Sequence, residues 1–230
     1  MNNYGINIWS DDNFVIEDGL AKINHDCKPS LISIVKDIRK QDFKGPLLLR
    51  FPHITEKQIN TLYNTFNASI KEYDYKGSFN AVFPLKVNQL PNFIHPLINE
   101  GKKFNYGLEA GSKAELVIAM TYNNINSPIT VNGFKDKEMI HLGFIAKSMG
   151  HDITLIIEGL NELEMIIEVL NETKMEAPSI GLRVRLHSGG SGLWAKSGGI
   201  NSKFGLTSTE ILEAYELMED NNIVKSLTMI

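Results

Sequence analysis

The sequence predicts an α/β protein built on a largely parallel sheet. Three observations carry that prediction. From Gly45 onward, runs of about five apolar residues alternate with longer segments whose apolar positions recur at helical spacing. The regular return of strand after helix implies parallel strands joined by right-handed crossovers. Several of the short runs are apolar throughout, as strands covered on both faces are. The pattern fits either an open doubly wound sheet or a (β/α)8 barrel. No Gly-x-Gly-x-x-Gly follows the first strand, which weakens a dinucleotide-binding reading.

The first forty residues read differently. Ile6-Asn7-Ile8-Trp9 and Phe14-Val15-Ile16, split by Ser10-Asp11-Asp12-Asn13, have the pattern of two short strands in a hairpin. Pro29 suits a first-turn position and opens a helix with Leu31, Ile32, Val35 and Ile38 on one face. Residues 47–51 are an apolar strand stopped by Pro52. Residues 55–75 are helical, with Ile59, Leu62, Phe66 and Ile70 on one stripe. Strand 81–87 follows, then helix 92–104, where Pro96 is tolerable near the start. Strand 106–109 leads to helix 112–120, whose Ser112-Lys113-Ala114-Glu115 fits a capping box. Strand 128–131, helix 137–149 closed by Gly150, strand 153–157, helix 161–170 and strand 180–186 continue the rhythm. A glycine-rich stretch at 189–205, helix 209–218 and an apolar strand at 226–230 complete the chain. The strands number seven from Gly45, or six if 47–51 is a lead-in.

Composition sets the outer limits. The 230 residues, 43% hydrophobic and 22% charged, can bury a real core and suit one to two domains. The 23 basic and 27 acidic residues leave a net charge of −4, which is no nucleic-acid footprint. Cys27, the single cysteine, excludes an internal disulfide framework and a Cys-x-x-Cys metal site. No apolar run is long enough to span a bilayer. Asp11, Asp12, Glu17 and Asp18 make the first residues unlike a signal peptide. The expectation is a soluble cytoplasmic protein with no membrane or nucleic-acid partner. Ile230 lies inside an apolar strand without turn or cap, so the chain is expected to be truncated.

Four groups could do chemistry. Lys86, at the end of an apolar strand, is expected to be desolvated, which would lower its pKa and free its amine for a Schiff base. The commoner case for such a position is a strand-end lysine that snorkels to water. Glu109 ends the next strand and points to the same end of the sheet. Glu115 sits in a helix first turn, where the dipole favours an anion, and Ser112 is mainly a cap. Arg183 and Arg185 alternate onto one strand face and need anionic partners, either a cofactor or an inward carboxylate such as Glu109 or Glu158. The loop from His187 to Gly205 nearly matches a P-loop from Gly190 to Lys196-Ser197. Ala195, however, stands in place of the second glycine, and Gly198-Gly199 replaces the helix start that would hold phosphates. A lid over the strand ends fits it better. His53, His95, His141 and His151 lack ligand spacing, and Cys27 reads as a packed or idle thiol.

Taken together, these segments resemble the biosynthetic arginine decarboxylases. Phe83-Pro84-Leu85-Lys86-Val87-Asn88-Gln89 is similar to that family's cofactor-lysine motif, and the run from Gly107 to Leu116 to its next motif. Val131-Asn132-Gly133-Phe134-Lys135-Asp136 resembles its third-strand end. Gly189-Gly190-Ser191-Gly192-Leu193-Trp194, Ser197-Gly198-Gly199 and Ser202 to Leu206 resemble its glycine-rich segment. The resemblance implies a pyridoxal 5'-phosphate (PLP) enzyme of the alanine-racemase-like fold type. The fold class becomes a partial PLP-binding (β/α)8 barrel of about six of eight strands, with 47–51 a lead-in. Residues 1–40 would be a β-domain segment and lead-in helix, and 41–230 an incomplete barrel truncated at the sixth strand. The implied reaction is decarboxylation of L-arginine to agmatine and carbon dioxide, the entry to polyamine (spermidine) synthesis. By resemblance, Lys86 would be catalytic and hold the cofactor as an imine. Glu109 and Glu115 would line the pocket, Arg183 would lie near the pyridine oxygen, and Lys203 is a further candidate for the same shell. The resemblance also implies a homo-oligomer and Mg2+, for which the sequence shows no ligand cluster. The isolated fragment is expected to bind cofactor poorly, to turn over nothing and to expose apolar edges.

Three other readings remain open. One is a related decarboxylase of the same fold type acting on ornithine or diaminopimelate, against which the Gly-Ser-Gly-Leu-Trp loop counts. Another is a non-catalytic decarboxylase-like binding protein, against which Lys86 with Glu109 and Glu115 counts. The third is a P-loop nucleotide binder, disfavoured by Ala195.

Overall fold

The computed structural model describes residues 5–186 and 204–230. The chain divides into two compact units, Met1–Ile54 and Thr55–Ile230. In the first, a single helical turn, α1 (Ile6–Trp9), precedes an antiparallel hairpin of β1 (Phe14–Glu17) and β2 (Leu20–Ile23), and helix α2 (Leu31–Lys40) follows. The hairpin runs from the Phe14–Ile23 pair to the Glu17–Leu20 pair. Its turn is Asp18-Gly19, with φ of 54° and 72°. Positive φ at both central residues gives the turn whose twist matches the flanking strands.

That arrangement corrects the predicted hairpin. Residues 6–9 alternate apolar and polar, yet among the described residues no ladder pairs them. The Ser10 N–H instead donates to the Ile6 carbonyl and closes a helical turn. The start of α2 also moves by a residue or two, because the Ser30 hydroxyl accepts from the Ser33 N–H at 3.1 Å. The predicted strand at 47–51 pairs with nothing among the described residues, and Leu48 there is 76% exposed. Helix α3 (Pro52–Glu72) begins at the proline that was to end that strand. Fixed φ suits proline to a first turn.

The second unit is a parallel α/β sheet, as the alternation predicts. Strands β3 (Val82–Pro84), β4 (Gly107–Ala110), β5 (Ile129–Val131), β6 (Ile153–Ile157), β7 (Ser179–Leu182) and β8 (Leu227–Met229) lie side by side in chain order, all parallel. Helices α4 (Pro91–Gly101), α5 (Lys113–Tyr122), α6 (Lys137–Ser148), α7 (Leu160–Thr173) and α8 (Ser208–Asp220) fill the crossovers. Register and alternation put Leu108, Ile129, Val131, Ile153, Leu155, Ile157, Ile180 and Leu182 on one face. All are buried, together with Leu116, Ile140, Phe144, Leu163, Ile166 and Met218 from the helices. Each such side chain contributes about 1.5–3 kcal/mol by leaving water. The opposite face carries Val82, Glu109, Thr130, Ile156, Gly181 and Met229, and borders an open groove of about 710 Å³.

One close approach fixes β4 against the start of β5. A Cβ at Gly107 would lie 1.9 Å from the Pro128 carbonyl oxygen, so only glycine fits there. The same carbonyl accepts from the Leu108 N–H at 3.1 Å. This contact carries Glu109 and Gly111 to their places at the strand ends.

Candidate functional site

Parallel strands bring their carboxyl ends to one edge, the usual ligand position in such sheets. The pairs Pro84–Glu109, Ala110–Val131, Val131–Leu155 and Ile157–Leu182 align those ends here. Residues on or just past them, Lys86, Glu109, Gly111, Asn132, Glu158 and Arg183, line a cavity of about 230 Å³ together with Glu115 from α5.

Lys86 reaches the cavity by a different route from the one predicted. The strand ends at Pro84, and Leu85–Val87 form a 3₁₀ turn. The turn breaks the alternation, so Leu85 is fully buried and Lys86 is exposed. The expected desolvation of Lys86 is therefore not found. Among the described residues its amine has no hydrogen bond or ion pair.

The two glutamates play different parts. Glu109 stands half-buried on the uncovered sheet face, and its Oε2 accepts from Asn132 Nδ2 at 3.3 Å. Glu115 is buried, and both its oxygens are taken. Oε1 accepts from Gln89 Nε2 at 2.8 Å and Oε2 from the Gly111 N–H at 2.7 Å. The predicted capping box is thus half formed. The Ser112 hydroxyl accepts from the Glu115 N–H at 3.3 Å, while the carboxylate turns to Gly111 rather than to the Ser112 N–H. Glu115 ties the turn before α5 to the segment after Lys86.

The two arginines part company. Strand β7 stops at Leu182, short of the predicted end at 186. Arg183 lines the cavity, pairs with Glu158 Oε1 at 2.5 Å and lies 5.1 Å from the Phe204 ring centroid. Of the two carboxylate partners proposed for it, Glu158 is the one used. Arg185 donates from Nε and Nη2 to the Gly205 carbonyl at 3.1 and 2.9 Å and does not line the cavity. Lys203, the P-loop-like run from Gly190 to Ser197 and most of the glycine-rich stretch lie outside the described residues.

A buried ion pair behind the cavity was not foreseen. Lys135 is fully buried, its Nζ 2.9 Å from Glu162 Oε2 and donating to the Gly133 carbonyl at 2.6 Å. Glu162 Oε1 accepts from the Lys135 N–H and Oε2 from the Glu158 N–H, both at 2.9 Å. Burial pulls Lys135 below the ordinary lysine range, against the attraction of Glu162. Nothing local in the sequence marks this pair, because its members stand 27 positions apart on different crossovers. Among the described residues no cluster of histidine, cysteine or carboxylate groups could hold a metal ion, and no helix is long and apolar enough to cross a membrane.

Comparison with known proteins fits this site. The family model described as "Pyridoxal-dependent decarboxylase, pyridoxal binding domain" matches residues 57–227. The biosynthetic arginine decarboxylase of Bacteroides thetaiotaomicron is 38% identical over 99% of this chain and 37% of its own length. The crystal structure of the biosynthetic arginine decarboxylase from Campylobacter jejuni superposes with a TM-score of 0.91 at 56% identity, covering 100% of this chain and 36% of that one. Diaminopimelate decarboxylase from M. jannaschi shares the fold, with a TM-score of 0.66 at 22% identity over 95% of this chain and 46% of that one. The chain thus spans a little over a third of the length of the arginine decarboxylases it matches. The family match takes in every residue that lines the cavity, and this chain therefore belongs to the pyridoxal-dependent decarboxylases, through their pyridoxal-binding domain.

Proposed function

We propose that this chain supplies the lysine side of a PLP site, and that the whole protein decarboxylates L-arginine to agmatine and carbon dioxide. The observation that carries the reading is the Lys86 amine, unpartnered among the described residues, at a polar cavity formed by strand ends. A primary amine suits the cofactor's aldehyde. The surrounding carboxylates and guanidinium suit a polar aromatic ring, so the residues present fit the group. When bound, the cofactor supplies an electron sink for the bond to the departing carboxylate.

The chain's own residues do the rest. Lys86 Nζ would hold the cofactor, and as a primary amine it could also carry a proton within the cavity. Glu109 turns one oxygen to Asn132, and its other oxygen would be available to the cofactor. Arg183 offers guanidinium donors, its charge balanced by Glu158. Glu115, with both oxygens committed, stiffens the wall. Lys203 belongs to the same shell in this reading. The six parallel strands form part of a (β/α)8 barrel, residues 1–40 contribute to a β domain, and contacts to the cofactor's phosphate come from further chain. A cytoplasmic homo-oligomer in polyamine synthesis completes the proposal. Arginine is preferred as substrate on the likeness to two arginine decarboxylases along the whole of this chain.

The test is borohydride reduction of the whole protein with PLP, followed by peptide mapping. A pyridoxyl adduct on Lys86, absent in Lys86→Ala, is expected. An adduct confined to other lysines overturns the assignment. Carbon dioxide release from arginine, ornithine and diaminopimelate then decides the substrate.

A further inference from the structure

We infer that the buried Lys135–Glu162 pair is a positioning device for the cavity, setting where Asn132, Gly133 and the Glu158–Arg183 pair stand. Neither residue of the buried pair lines the cavity. Each acts through backbone groups that lead to residues that do.

The Glu162 carboxylate gathers two separate loops. It accepts from the Lys135 N–H on the β5–α6 loop and from the Glu158 N–H at the start of the β6–α7 connection. The Lys135 ammonium joins that carboxylate and turns back to the Gly133 carbonyl at 2.6 Å. Gly133 adopts φ 104°, which other residues rarely adopt, so the loop has a narrow choice of shapes. Asn132 beside it holds Glu109, and Glu158 holds Arg183. A shift at Glu162 would therefore reach three polar walls of the cavity. The charge pairing alone is weak evidence for a stabilising role, because an apolar pair of similar volume is often as stable as a buried ion pair. Such a pair cannot accept two backbone N–H groups or reach a carbonyl.

This inference rests on the proposed PLP site for its ligand readout, and the experiment separates the two. The whole protein would be compared with Glu162→Gln and with the double variant Lys135→Met, Glu162→Leu. The measurements are thermal midpoint, amide exchange at Gly133 and Arg183, and PLP affinity by equilibrium dialysis. Neither amide donates to Glu162; they donate to Asn132 Oδ1 and to the Ile157 carbonyl. Expected are faster exchange at both amides and affinity lower by about tenfold, the change that one unmade buried hydrogen bond implies. In the double variant the midpoint also falls, because the Lys135 and Glu158 N–H groups lose their acceptor, and the positioning role is read from exchange at Gly133 and Arg183 that exceeds the rise across the rest of the sheet. Unchanged exchange and affinity in folded Glu162→Gln overturns the inference. So does exchange that quickens across the whole sheet in step with lost stability. If the wild-type protein takes up no PLP, the functional reading fails, and the two amides still decide the positioning role.

Discussion

Gly107→Ala should unfold this protein far more easily than its chemistry suggests. The added methyl would sit 1.9 Å from the Pro128 carbonyl oxygen and 2.9 Å from two further Pro128 atoms. To reach the 3.0 Å below which real Cβ atoms essentially never lie, β4 must slide by about 1 Å. That movement breaks the 3.1 Å bond from the Leu108 N–H to the same carbonyl. An unmade buried bond costs about 1–3 kcal/mol and an overpacked core about 1–3 kcal/mol. A combined loss of about 3 kcal/mol, divided by a urea slope of about 2 kcal/mol/M, lowers the midpoint by about 1.5 M. Gly111→Ala is the control. Its methyl would meet the Asn132 carbonyl oxygen at 3.4 Å and Glu115 Oε2 at 3.5 Å, which is ordinary contact. Equal midpoints for the two variants would refute the argument that backbone approach holds β4 in place.

Two further predictions concern charged side chains, one in the first turn of α8 and one just past β7. Glu210 accepts from the Thr207 N–H and hydroxyl, which hold its carboxyl below the ordinary glutamate value. A depressed folded pKa contributes stability above the unfolded value and loses it as the pH falls through the folded one. The urea-midpoint deficit of Glu210→Gln should therefore be present at neutral pH and vanish well below about pH 4. Arg183→Ala strips the partner from Glu158, whose side chain is 10% exposed, while Arg183 itself is 42% exposed. Solvent screening keeps the expected loss near about 1 kcal/mol, read as a small fall in thermal midpoint, and a fall of several times that size would contradict this account.

The parts of the fold that sequence reveals are those set by a residue's own face. Ile153, Leu155 and Ile157 had to lie under helices whatever their neighbours, and β6 came out at its predicted residues. Ser112 and Asp136 each accept from an N–H three residues on, so local chemistry starts α5 and α6. What stayed hidden needed a partner elsewhere. The pattern of 6–9 and of 47–51 suits a strand, but a strand exists only beside another. Asp18-Gly19 did announce the true hairpin, at a turn the longer Ser10–Asn13 break had overshadowed. At the site, Lys86 and Glu109 were read as strand-end residues and Glu115 as part of a helix first turn, whereas Arg183 was read inside a strand running to 186; the fold brings all four to one cavity. Of the two readings of Lys86 the exposed one holds, because Pro84 ends the ladder and a turn reverses which neighbour is buried. Lys135 looked like one more loop lysine until the fold brought Glu162 to it.

The sheet's order has a temporal meaning. Each strand from β4 to β8 lies against the one made just before it, so synthesis and assembly can run in the same direction. A nascent chain emerging at about 5–20 residues per second can add one strand and one helix at a time, never waiting for a distant partner. Lys86 is in place early, Glu109 and Asn132 join in turn, and Arg183 closes the row last. The amine thus spends seconds on the ribosome as a bare lysine before the walls around it exist. Any ligand that needs those walls is selected only after β7 has docked.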